Sequence, residues 1–126
     1  MAWFAKVSDL ERLIRDANRQ GVPLGAVLSG SRRRPDGTEV SWQFTDPRTP
    51  VGDGIVPFFI DWGQSPHPAR SAAQGASLVG LRAEHPDSAG VARLLHQLGL
   101  ELPVRTAERP ALIAIIDCPR GRVELR

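Results

Sequence analysis

Asp61 and His67 stand six positions apart in "IVPFFIDWGQSPHPA", Ile55 to Ala69. A carboxylate beside an imidazole can orient it and share a proton near neutral pH. The same stretch leads from an apolar run into Trp62, Gly63 and a histidine fenced by two prolines, which also describes a strand end followed by a loop. Other groups with chemical potential are scattered. His85 lies in "EHPD", where it could serve as ligand or base, although Pro86 favours an extended backbone there and Asp87 suffices as a helix cap, so a strand-to-helix corner explains it better. His96 falls on the polar side of a helical stripe and is expected in solvent. Arg32, Arg33 and Arg34 form a basic triplet that could grip a phosphate or carboxylate through bidentate hydrogen bonds. Set before the Pro35-Asp36-Gly37 turn, it reads more simply as the solvated flank of a hairpin. Cys118, next to Pro119, has no nearby histidine or helix start to activate it and reads as structural.

Composition narrows the setting for these groups. At 126 residues, 41% of them hydrophobic and 24% charged, the chain is the size of one globular domain with a core of its own. A single cysteine rules out an intrachain disulfide framework and a multi-cysteine zinc site, and suits a reducing compartment. The apolar run "ALIAII" is too short to span a bilayer. "MAWFAKVSD" lacks a basic segment followed by an apolar one, so no signal peptide is expected and a cytoplasmic location is the default, with no membrane partner. The pI near 9.5 comes from 15 Arg against one Lys, but the net charge is only +2 and the acids are dispersed. Nucleic acid is therefore not an expected partner, since a broad basic face with interleaved aromatics is missing.

The elements that must position these groups show a repeat. Ser8 with Glu11 forms a capping-box pattern before a stripe of Leu10, Leu13, Ile14 and Ala17, which Gly21 ends. Asp87 or Ser88 caps a second stripe of Val91, Leu94, Leu95 and Leu98, which Gly99 ends. The two helices are offset by 78 positions throughout. Each follows a strand-like run, "AWFAKV" or "SLVGLRA", and precedes another, "VPLGAVL" or "LELPVR". Hairpin turns at Gly37 and Gly121 are offset by 84. The first copy continues into "VPFFIDW", while the second stops without a clear last strand.

The expected fold class is α+β. Two βαβββ-type units, 1–63 and 77–126 with a small-residue linker at 64–76, would form a curved, mostly antiparallel sheet carrying two helices on one face. Two unrelated strand-helix-strand pieces of a ferredoxin-like sheet are the alternative. By alternation, Val40, Trp42 and Phe44 share one face, as do Phe58, Ile60 and Trp62. If that face meets the helices, Gln43, Phe59 and Asp61 look away from them into a cup; the opposite phase is equally compatible with the pattern.

The order "GSRRRPDGTEVSWQF", "PFFIDWG", "HPA", "EHPD", "LLHQLGL" and "CPRGRVEL" resembles the glyoxalase-like domain family of the vicinal oxygen chelate superfamily, over nearly the whole chain. The resemblance implies paired βαβββ units around a cup-shaped sheet, in which many members hold a divalent metal and others bind ligands without one. It also implies a further unit opening on a Leu-Asp-His type strand, which this sequence does not contain, so it corresponds to the C-terminal portion of such a protein. A metal site of this kind draws His, Glu or Gln from the first and last strands of two units. "AWFAKV" offers none, and a complete four-ligand set is not present. Glu124 alone occupies the position of the superfamily's final carboxylate, and alternation beside Val123 and Leu125 makes a solvent-facing side chain the simpler account.

The expected function is binding of a small organic ligand in a sheet-lined cup, with Gln43, Phe59, Asp61 and His67 as its contacts and a divalent metal the only cofactor the resemblance suggests. Two alternatives stand beside it. One is a metal-dependent lyase or isomerase completed by another chain or a missing N-terminal unit. The other is a non-catalytic module that forms a homodimer through an open sheet edge.

Overall fold

The computed structural model describes residues 2–70 and 72–126. It is an α+β fold with two helices and two mixed four-stranded sheets, β1 (Phe4–Lys6), α1 (Leu10–Arg19), β2 (Val27–Arg33), β3 (Glu39–Thr45), β4 (Phe58–Asp61), β5 (Ser77–His85), α2 (Ser88–Gln97), β6 (Val104–Thr106), β7 (Ala111–Cys118) and β8 (Gly121–Leu125). The chain divides into two compact units. The first holds Trp3–Val51 and Pro57–Ala72; the second holds Ala73–Arg126 and takes in the short segment Gly52–Val56.

The first sheet runs β1-β4-β3-β2, with β1 parallel to β4 and the other neighbours antiparallel. Its core includes Leu10, Ala17, Val22, Val40, Phe58 and Phe59. Thr45, also buried, accepts a hydrogen bond from the Phe59 amide at 2.9 Å, which satisfies a polar pair that burial would otherwise penalise. The second sheet runs β6-β5-β7-β8, with β5 parallel to β6. Ala83, Val91, Leu95, Leu98, Leu112 and Ile113 make its core. This unit has four strands, one more than the sequence pattern displays, because "LELPVR" and "ALIAII" fall in separate strands, β6 and β7, ahead of the hairpin arm Gly121–Leu125, which is β8.

Both helices end alike. Gly21 at φ +72° and Gly99 at φ +75° take the left-handed conformation, and the amides of Val22 and Leu100 reach back to the carbonyls of Ala17 and Leu95 at 2.9 Å. Of their starts, α2 keeps an expected cap and α1 does not. The cap of α1 is Asp9 rather than Ser8, its carboxylate accepting from the Arg12 amide at 3.1 Å. Asp87 caps α2 through the Gly90 amide at 3.0 Å. "VPLGA" is not a strand: Val22 is core and pairing begins only at Val27.

Candidate functional site

On the first sheet, Ser29, Gln43 and Asp61 lie directly opposite one another across β2, β3 and β4, and Ser31 opposite Ser41 is the next row on the same face. Asp61 Oδ2 accepts from the Leu10 amide at 3.3 Å, and Oδ1 from the Gly63 amide at 2.8 Å. Its carboxylate therefore ties the end of β4 to the first residue of α1, a second anchor for the helix start beside Asp9. This bond also settles the phase of the sheet. The Gln43–Asp61 side is the side on which α1 begins, so the reversed phase is the observed one. Phe59, on that side, is only 1% exposed and belongs to the core, where it offers no surface to a solute.

Past the helix start this face opens into a cleft of about 770 Å³. Its floor carries Ser29, Ser31, Ser41, Gln43, Glu39 and Asp61, and the loop from Gly63 to Pro66 forms a wall. That loop is fixed by Ser65, whose Oγ accepts from the Ser41 amide at 3.1 Å while its own amide donates to the Trp62 carbonyl at 2.9 Å. Among the described residues, no basic side chain lines the cleft.

His67 belongs to a different cluster. Its ring meets Trp62 edge-on at 5.6 Å, and Trp62 packs against Trp42 at 5.3 Å. His67 Nδ1 accepts from the Ala69 amide at 3.0 Å, which leaves Nε2 as the protonated nitrogen of the neutral ring. Asp61 and His67 are thus engaged by separate backbone amides. Trp42 in turn lies across Gly30, where an added Cβ would come within 2.6 Å of the indole. Trp62 Nε1 is the one buried side-chain polar atom without a hydrogen-bond partner among the described residues.

In the second unit, His85 is buried, and both its nitrogens are used. Nδ1 accepts from the Asp87 amide at 2.9 Å, so Nε2 carries the proton and donates to Asp53 Oδ2 at 2.7 Å. Asp53 sits at φ 54°, ψ 35° between two glycines that also have positive φ, Gly52 and Gly54. The sequence marks this only as a "GDG" turn; nothing in it joins Asp53 to a histidine 32 positions on. The pair fixes the Gly52–Val56 segment to the strand-to-helix corner.

Among the described residues, the side chains around Glu124 do not fit a divalent metal. Glu124 faces the Arg82 guanidinium at 3.3 Å and the Arg126 guanidinium at 3.5 Å, so cations already occupy its surroundings. No cluster of three or more His, Cys, Asp or Glu side chains forms among the described residues. The basic triplet is mostly exposed at the β2–β3 hairpin, His96 is exposed, and Cys118 is a half-buried free thiol. Among the described residues no helix is long and apolar enough to cross a membrane.

The serines and Glu39 of the cleft escape recognition in the sequence, where Ser29, Ser31 and Ser41 read only as the polar half of a two-residue alternation; Gln43 and Asp61 of the expected contacts do line it. No curated protein matches the chain. Among solved structures, the crystal structure of a hypothetical protein from Staphylococcus aureus is similar in fold, with a TM-score of 0.58 and 12% identity. The match covers 96% of this chain and 49% of that one, so this chain spans about half the length of its structural neighbour. Residues 1–99 match the glyoxalase-like domain, and with most of its length so matched the chain belongs to that family.

Proposed function

We propose that this glyoxalase-like domain binds a small polar organic molecule in the cleft of its first unit, without a metal, in a cytoplasmic setting that suits its one free cysteine. The observation that carries the reading is the row Ser29–Gln43–Asp61 with Ser31 and Ser41 beside it, a set of hydroxyl, amide and carboxylate groups on the floor of a cleft of ligand size. Two carboxylates and no cation among the described residues of the lining favour a neutral or cationic ligand rich in hydroxyl or amine donors over an anionic one. Gln43 is the recognition residue, because its amide can both donate and accept and its side chain is exposed. Asp61 contributes negative potential while holding α1. His67 contributes from the tryptophan cluster next to Pro66 on the cleft wall.

Amide chemical-shift perturbation by neutral polyols, small amines and small carboxylic acids tests the reading. Shifts centred on Ser29, Ser41 and Gln43 with the first two classes are expected. Gln43→Ala should then weaken binding about tenfold, some 1.4 kcal/mol, at unchanged melting temperature. Shifts confined to other regions, or a preference for the acids, would refute it.

A further inference from the structure

We propose that β8 is the interface for a second copy of this chain, which pairs with it antiparallel about a two-fold axis through Val123. The register supplies the first argument. Cys118 and Gly121 flank a two-residue turn, so that pair exchanges hydrogen bonds, and bonded pairs alternate along the hairpin. Val123 and Leu125 therefore turn their backbone groups inward to Ile116 and Ala114. Arg122 and Glu124 turn theirs outward, where no described strand meets them. A second β8 with Val123 opposite the partner's Val123 sets Arg122 opposite the partner subunit's Glu124, and the two residues exchange both backbone bonds. By symmetry this happens twice, and all four outward groups are satisfied.

The side chains agree with this register. Opposed residues share a face, so each Arg122 meets the partner subunit's Glu124 as an ion pair. Arg122 binds Asp117 through Nε and Nη2, leaving Nη1, and Glu124 receives Arg82 and Arg126 on Oε1, leaving Oε2. On the other face Val123 continues a row through Ile116 to Leu78. Leu78, Val123 and Leu125 are 64%, 43% and 45% exposed, an apolar strip that the chain leaves uncovered and that a two-fold partner would extend across the axis. The other exposed edge with comparable length, β2, offers Arg32 and Arg33 but no acid to meet them. The open edge thus lies along β8 itself, the outer arm of the hairpin that turns at Pro119-Arg120.

Sedimentation equilibrium of the full chain should show a concentration-dependent dimer, because a five-residue strand is a short interface. Glu124→Pro removes an outward N–H, a change edge strands accept, together with the carboxylate that pairs with the partner subunit's Arg122, and should raise the dissociation constant at least tenfold with an unchanged circular dichroism spectrum. Should that variant not fold, cysteine cross-linking in a Cys118→Ser background decides. Val123→Cys places two thiols on directly opposed, non-hydrogen-bonded positions and should form a disulfide dimer rapidly. Arg120→Cys places them about 20 Å apart and should not. A monomer up to about 1 mM, the weak end of measurable association, a dimer indifferent to Glu124→Pro, or equal cross-linking at both positions would overturn the proposal.

Discussion

The two units share an order of elements and differ in how their strands are wired. Each runs strand, helix and three strands, yet the first closes its opening strand in parallel against its last, β1 on β4, whereas the second closes it against the next strand, β5 on β6. Connection length accounts for the difference. The stretch from Asp46 to Pro57 between β3 and β4 is long enough to carry β4 past β3 and in beside β1. Between β7 and β8 there are only Pro119 and Arg120, and a two-residue turn compels the strands to be neighbours. β8 is therefore held at the rim while β4 is interior, and the same difference makes β4 a carrier of site residues and β8 an edge.

Truncating the two cores should have the largest effect and show whether the units are equally dependent on packing. Phe59→Ala is expected to cost about 3–5 kcal/mol and Ile113→Ala about 2–5 kcal/mol in denaturant unfolding, since both side chains are almost wholly buried. Two separate transitions, with each substitution moving only one of them, would show that the units unfold independently.

A glycine from each sheet sharpens the contrast at intermediate scale. Gly30→Ala drives a methyl to 2.6 Å from Trp42, so the indole must move, at a cost of about 1–3 kcal/mol and with a changed tryptophan emission. Gly80, at the bulge in β5, has only Ile115 in ordinary contact distance at 3.6 Å. Gly80→Ala should stay within about 0.5 kcal/mol of the parent in thermal unfolding.

What the sequence made legible follows the same division between local and distant causes. The helices, their glycine stops and the 78-residue offset depend on residues within a turn or two of each other, and Gly21 and Gly99 behave as their type demands. The Asp9 cap displaced the Ser8 box because either residue can accept the same orphan amides, and the pattern cannot rank them. Strand partners and sheet phase are distant matters. A period of two, with the apolar halves of β3 and β4 set on one side, puts Gln43 and Asp61 on the other, but does not say which side carries α1; that depends on Asp61 reaching Leu10 across 51 positions. The Asp53–His85 pair is hidden for the same reason, as is the place of the serines and Glu39 on the cleft floor.

The helix anchors give effects near 1 kcal/mol. Asp61→Ala and Asp87→Ala each free amides at a helix start and should each cost about that much in thermal or denaturant unfolding. In the second unit Asp53→Asn should be nearly neutral, because asparagine tolerates positive φ and keeps an oxygen for the His85 Nε2–H, whereas Asp53→Ala loses that bond and strains the turn. Were Asp61→Ala to cost nothing, the carboxylate would be free for a ligand. If it costs as expected, affinity measurements on that variant mix binding with stability, and Gln43→Ala is the cleaner probe.

The smallest effects separate the units by pH. Asp46 is held below its ordinary value by hydrogen bonds from Arg48, and Asp117 below its own by hydrogen bonds from Arg122. In both cases the folded carboxyl releases its proton at lower pH than the unfolded one. The stabilisation is thus fully present above the ordinary aspartate value of 3.8 and is lost as the pH falls from there through the lowered folded value. Arg48→Ala should return the Asp46 titration, followed by carboxyl carbon NMR, toward 3.8 while leaving Asp117 unmoved; Arg122→Ala should do the reverse. Both pairs are solvent-exposed and screened by salt, so neither variant should shift the melting temperature measurably at neutral pH. The proposed dimer through β8 would add one distinction. Its ion pair would recruit Arg122, so Asp117 should titrate differently in dilute and concentrated protein, whereas Asp46 should be indifferent to concentration.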